Sequence, residues 1–156
     1  MPVEIADMTE RAYNALEDRA LLVDRSSRLR MRFSGEKAAE SLTGLVTSDV
    51  LALAPGKGQY GAALTPKGKV IADVRIFATE GNLLVDTNGT AGPGFVSMIR
   101  KFVNPRLAKY EDVSAQSQDL GLFGGGAKSL LPATLGDDAV PADAPHSNDV
   151  FTSAPR

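Results

Sequence analysis

The 156-residue sequence contains no cysteine. Disulfides, zinc thiolate centres and cysteine nucleophiles are therefore all excluded. There is one histidine, His146, which alone can build neither a metal site nor a Ser-His-Asp triad. Charge of neither sign dominates: 17 Lys and Arg stand against 19 Asp and Glu, a net of −2. A nucleic-acid partner is not expected, because such proteins usually carry a basic excess and a high pI. No apolar run approaches the roughly 20 residues that span a bilayer. The N-terminal MPVEIADMTER has neither the charged nor the apolar region of a secretory signal. These absences predict a cytoplasmic protein with no metal, nucleic acid or membrane partner. The length fits one ordinary domain with a core of its own.

What is present is a mixture of two periodicities. Asp7-Met-Thr-Glu10 has capping-box spacing, and Ala12, Leu16, Ala20 and Val23 then recur at helical spacing, predicting a helix to about Asp24. Arg28-Leu-Arg-Met-Arg-Phe33 alternates strictly, predicting a strand with Leu29, Met31 and Phe33 inward. Ser34-Gly-Glu-Lys opens a second helix, with Ala38, Leu42, Leu45 and Val46 on its buried side. Leu83 to Thr87 reads as a strand. Phe95, Met98, Ile99, Phe102 and Val103 define a further helix, stopped before Pro105. Tyr110–Val113 and Leu120–Phe123 read as short strands, and Gly124-Gly-Gly126 leads into a short helix to about Leu131. The order predicts an α+β domain over residues 1–131, with helices on one face of a largely antiparallel sheet. Residues 132–156, rich in proline, read as a linker or as the start of another segment, with a strand beginning at Val150-Phe151-Thr152.

The most informative stretch is GQYGAALTPKGKVIADVRIF. Thr65-Pro-Lys-Gly68 predicts a type I turn with a glycine bulge, joining two strands. On the second strand Val70, Ala72, Val74 and Ile76 form an apolar face, and Ile71, Asp73, Arg75 and Phe77 the other. A three-residue loop sets Gly61 opposite Asp73; a slip by one residue sets Tyr60 there instead. Asp73 reads either as half of a solvated ion pair with Arg75, the commoner situation, or as the floor of a concave site for a flat heterocycle.

Tyr13 to about Leu130 resembles the N-terminal half of the folate-binding aminomethyltransferase superfamily, which includes the glycine cleavage T-protein and the YgfZ-type proteins. The pieces that carry the resemblance are ALEDRALLVDRSSRLRMRFSG, LTGLVTSDVLALAPGKGQY, LTPKGKVIADVRIF, LLVDTN and DLGLFG, in the family's order and spacing. The resemblance implies a tetrahydrofolate-binding domain. It implies that Asp73 is the catalytic carboxylate beside the nitrogens that carry the one-carbon unit, where it stabilises a cation. It implies folate contacts from Tyr60, Asp73, Thr87 and Asn88, and so favours the register that sets Tyr60 against Asp73. The partners implied are folate and either a carrier protein or a C-terminal half that this sequence lacks. The alternatives within the resemblance are a non-enzymatic YgfZ-like folate-binding accessory protein serving iron–sulfur enzymes, or an incomplete fragment that needs a partner half. T-proteins have two adjacent acids where this sequence has Ala72-Asp73, and the YgfZ-type cysteine is absent.

Other motifs have plainer readings. Gly121 to Ser129 nearly spells a phosphate-binding loop, but Ala127 separates the last glycine from Lys128; it reads as a glycine-rich entry into a helix. Arg28, Arg30 and Arg32 read as a solvated or edge-protecting strand face, with attraction of an anionic folate tail as the alternative. Asn88-Gly-Thr90 matches a glycosylation sequon by chance. Thr47 and Asp49 read as helix-end hydrogen-bonding groups, and Tyr110 and Phe123 as core.

Overall fold

The computed structural model describes residues 19–130 and, ahead of them, Glu10, Tyr13, Asn14, Leu16 and Glu17, which are helical. The capping box at Asp7, the tail with His146 and the strand at Val150 lie outside the described residues. The described residues fall into two compact units, one running from Ser26 to Ser117 and the other combining residues up to Arg25 with those from Gln118 onward.

The larger unit is built on a five-stranded antiparallel sheet, ordered β3-β4-β5-β2-β6. Its strands are β2 (Leu29–Ser34), β3 (Gly58–Leu64), β4 (Val70–Thr79), β5 (Asn82–Thr87) and β6 (Lys109–Asp112). Two helices, α1 (Ala38–Thr43) and α2 (Gly92–Phe102), pack on one face. The core forms where their apolar stripes meet the inward residues of the strands. Leu42 from α1, Phe95 and Ile99 from α2, Phe33 from β2, Val74 and Ile76 from β4 and Val85 from β5 are each at most 0% exposed. Each such side chain contributes about 1.5–3 kcal/mol by leaving water. The predicted architecture is the observed one. Phe102, expected to be inward, is 45% exposed and closes α2 on its outer side.

Two expected elements differ. The N-terminal helix does not reach Asp24: Leu21–Asp24 is strand β1, which pairs antiparallel with β7 (Leu120–Phe123) in the smaller unit. A run of Leu-Leu-Val satisfies both periodicities over so few residues, and pairing with a partner distant in sequence decided the outcome. Phe123 is 43% exposed, so it is not core. The second helix is short; Leu45 and Val46 lie beyond it, and Val46 bridges to Ala63 on β3. Asp49 caps a 3-10 turn at Val50–Ala52, accepting from the Leu51 N–H as expected, whereas Thr47 Oγ1 accepts from Ala62 N–H on β3.

The glycine-rich segment has a packing reason. In the smaller unit Gly124 has φ +116°, and a Cβ there would stand 2.5 Å from the Arg19 carbonyl oxygen. Only glycine fits both constraints.

Candidate functional site

The β3–β4 hairpin positions the site, and its register is neither of the two expected. At the turn the three-residue loop is as predicted: Gly68, with φ +76°, donates to the Thr65 carbonyl, and Thr65 N–H donates to Lys69. Leu64 then pairs with Val70, but Ala63 pairs with Ala72, so Ile71 is an extra residue in β4. This bulge places Ala62, not Gly61 or Tyr60, opposite Asp73, and Tyr60 opposite Arg75. It also turns Val70 out to 59% exposure and lets Ile71 pack against the core, the reverse of the expected assignment for both.

Past the bulge, Asp73, Arg75 and Phe77 share the sheet face away from the helices, as expected. Tyr60 stands on the same face, diagonal to Asp73, and its hydroxyl donates to Asp73 Oδ2 at 2.6 Å. That bond favours the ionised carboxylate and the neutral phenol. Asp73 is accordingly held below the usual carboxylate value, first by the Tyr60 hydroxyl, against a burial penalty, with help from the Arg28 and Arg75 charges. Tyr60 is raised above the ordinary phenol value, first by the same bond, then by burial and by the Asp73 charge. Both groups remain exposed, Tyr60 at 61%. Ala62, opposite the carboxylate, has only a methyl group to offer, so the outer side of Asp73 is uncovered.

Thr87 and Asn88, the other two expected contacts, are placed differently. Thr87 is fully buried, and its hydroxyl donates to the Asp73 backbone carbonyl at 2.6 Å, so it braces the strand beneath Asp73. Asn88 Oδ1 accepts from the Thr90 N–H at 3.0 Å and the Thr90 hydroxyl at 2.9 Å, forming the turn into α2.

The arginine stripe along β2 is solvated only at Arg32, whose side chain is 43% exposed beside the edge strand β6; Arg28 and Arg30 turn to covered partners. Asp86 on β5 accepts through Oδ1 from Arg28 Nε at 2.6 Å and Arg75 Nε at 2.8 Å. Arg30 is 3% exposed; its Nη2 donates to the Ser114 and Ser117 carbonyls. Arg32 pairs with Glu111 on β6. The strand is interior to the sheet, so each guanidinium finds a partner on a neighbouring element. Asp86 is the residue that sequence reasoning passed over. The available signal was a second lone carboxylate in an apolar strand, LLVDT, like Asp73 in its own.

A groove of about 570 Å³ lies beside α2, lined by Arg28, Leu29, Val96, Ser97 and Arg100 among others. Neither Tyr60 nor Asp73 lines it; their pair stands on an open sheet face, and the chemistry there outweighs the concavity elsewhere. Among the described residues no cluster of His, Asp and Glu could hold a metal ion, and no helix is long and apolar enough to cross a membrane.

The profile of the GCVT N-terminal domain family matches residues 2–150. This chain belongs to that family. Curated relatives include an aminomethyltransferase of Nostoc sp., 34% identical over 77 residues, which are 49% of this chain and 20% of the relative. The gamma subunit of a heme-dependent oxidative N-demethylase from Ectopseudomonas mendocina is 31% identical over 119 residues, 76% of this chain and 31% of the relative. The glycine cleavage system aminomethyltransferase T of Bartonella henselae superposes with a TM-score of 0.73 at 19% identity, covering 85% of this chain and 36% of that one. That likeness establishes the aminomethyltransferase fold. The chain thus spans about a fifth to a third of the curated relatives it matches.

Proposed function

We propose that this GCVT-family domain binds tetrahydrofolate against the Tyr60–Asp73 face and serves one-carbon transfer from an aminomethyl donor. The observation that carries the reading is the 2.6 Å bond from Tyr60 to an exposed, ionised Asp73. The residues fit such a ligand: the Tyr60 ring offers a flat apolar surface, and Ala62 leaves room beside the carboxylate. When bound, tetrahydrofolate supplies the nitrogens that accept the one-carbon unit. Asp73, kept ionised by Tyr60, stabilises positive charge developing beside it, more strongly where water is excluded. Thr87 fixes the height of Asp73 through its backbone, and Asn88 fixes the start of α2. An open sheet face needs a second wall to exclude water, which a carrier protein or a further part of the polypeptide would provide.

A second reading has its own support. The match to the N-demethylase gamma subunit extends over more of this chain than the match to the Nostoc aminomethyltransferase. In that reading the domain is a subunit that captures, on folate, the carbon released by oxidative N-demethylation, without itself breaking an aminomethyl bond.

The test is a calorimetric titration of the purified chain with 5-formyltetrahydrofolate. Saturable binding, weakened about tenfold or more by Tyr60→Ala, is the expected result. A folded chain that takes up no folate overturns the proposal that this domain alone supplies a usable site.

A further inference from the structure

Two guanidiniums converge on one buried oxygen. Asp86 is 2% exposed, and its Oδ1 lies 2.6 Å from the Nη2 of both Arg28 and Arg75, besides the two Nε bonds. Its Oδ2 has no hydrogen-bond partner among the described residues. Asp86 pairs in register with Arg75 on β4 and with Arg30 on β2, so it stands in the middle of the polar face. Arg75 is further fixed over the Phe77 ring, 5.7 Å from its centroid.

Asp73 is the second carboxylate on this face. Arg75 projects from the same strand two residues away, and both Arg28 and Arg75 exert an attractive field on Asp73. A carboxylate so placed ordinarily captures a guanidinium in a charge-assisted pair. Among the described residues, however, the Asp73 side chain is bonded to Tyr60 and forms no salt bridge. The difference between the two acids is depth. Asp86 is buried where the effective dielectric is low and an ion pair is stronger; Asp73 is exposed, where it is weak.

We propose that Asp86 is a positioning residue for Asp73: it holds Arg28 and Arg75 on its own carboxylate and so leaves Asp73 bonded to Tyr60 and open to a cationic reacting group. The use made of this arrangement rests on the folate reading above. Its geometry does not, and it is tested without folate. A guanidinium seated on Asp73 would cancel the charge that the reaction needs and would displace the Tyr60 hydroxyl.

The experiment is a spectrophotometric phenol titration of the folded chain. The chain has three tyrosines, and Tyr60→Phe identifies the component that belongs to Tyr60. Among the described residues, the charged groups facing that phenol are Asp73, Arg28 and Arg75, with Asp86 behind them. In the unaltered protein Tyr60 titrates above the ordinary phenol value of about 10. In Asp86→Asn the two guanidiniums lose this carboxylate and are expected to turn toward Asp73, and the Tyr60 midpoint falls to the ordinary value or below it. Adding Arg28→Gln and Arg75→Gln to Asp86→Asn removes the competitors and restores the high midpoint. A merely loosened sheet would not be rescued by losing two more polar groups. If Asp86→Asn alone does not fold, Arg28→Gln with Asp86→Asn strands one guanidinium fewer and is expected to show the same fall. An unchanged Tyr60 midpoint in a folded Asp86→Asn protein, or a midpoint that stays low in the triple variant, overturns the proposal. Failure of folate to bind, with these shifts observed, would count against the folate reading alone.

Discussion

Tyr60 bonds to Asp73 although the strand register sets it opposite Arg75. The phenol reaches diagonally past its neighbour, within the range that long side chains span across an antiparallel pair. Removing the hydroxyl while keeping the ring isolates this bond. In Tyr60→Phe the Asp73 carboxyl, followed by carbon-13 NMR, is expected to titrate nearer the ordinary carboxylate value than in the unaltered protein. An unmoved Asp73 titration would show that the arginine field, not the phenol, holds it low.

The same bond sets a pH dependence. A carboxylate whose folded value is depressed contributes stability that is present above its unfolded value and is lost as pH falls through the folded one. Asp73 and Asp112 both belong to this class, the first through Tyr60 and the second through the hydroxyl and backbone N–H of Ser114. Urea midpoints are therefore expected to be flat from neutral pH down to about 4 and to fall below it, less steeply in Tyr60→Phe. Tyr60 acts in the opposite sense: its raised value gives stability below the ordinary phenol range that is lost as pH rises through the folded value.

Under the proposed one-carbon transfer, Asp73→Asn keeps the shape and removes the charge. Transfer activity is expected to fall about 100- to 1000-fold, with folate affinity changed only a few-fold in calorimetry. Full turnover in this variant would remove Asp73 from the reaction.

Arg30 is a structural counterpart. Its buried Nη2 serves the carbonyls of Ser26, Ser114 and Ser117. Arg30→Met leaves them short of a donor, and a loss of about 1–3 kcal/mol in urea unfolding is expected. Hydrogen exchange should rise at Gln116 and Ser117 before it rises in β5.

Gly61 tests the edge of the sheet. A Cβ there would lie 2.6 Å from Ser48 Oγ, a buried hydroxyl with no hydrogen-bond partner among the described residues. Gly61→Ala is expected to cost about 1–3 kcal/mol, and Ser48→Ala in the same protein to recover most of it. Additive losses in the thermal melts would exclude the clash.

Much of the fold could be read because the local signals agree with the tertiary outcome. Phe95, Met98 and Ile99 fall on one helical stripe and are buried together; Met31 and Phe33 alternate with arginines and face inward. The N-terminal strand could not be read, since Leu21 to Asp24 becomes strand only by meeting Leu120 to Phe123. The Tyr60–Asp73 pair was legible from the resemblance, but its register was not: no residue type announces that Ile71 is left without a partner. The role of Arg28 was equally hidden, because an alternating arginine stripe looks the same on a sheet's rim and beside a buried acid in its interior.

That unpartnered isoleucine has a mechanical meaning. It divides the hairpin into two frames, one set by the Thr65–Lys69 turn and one by the pairing of β4 with β5. The joint at Ile71 takes up a change of phase between them. Lengthening or reshaping the turn therefore perturbs only the distal frame, while the azimuth of Asp73 is dictated by β5. The loop tip can drift in sequence without rotating the carboxylate out of place.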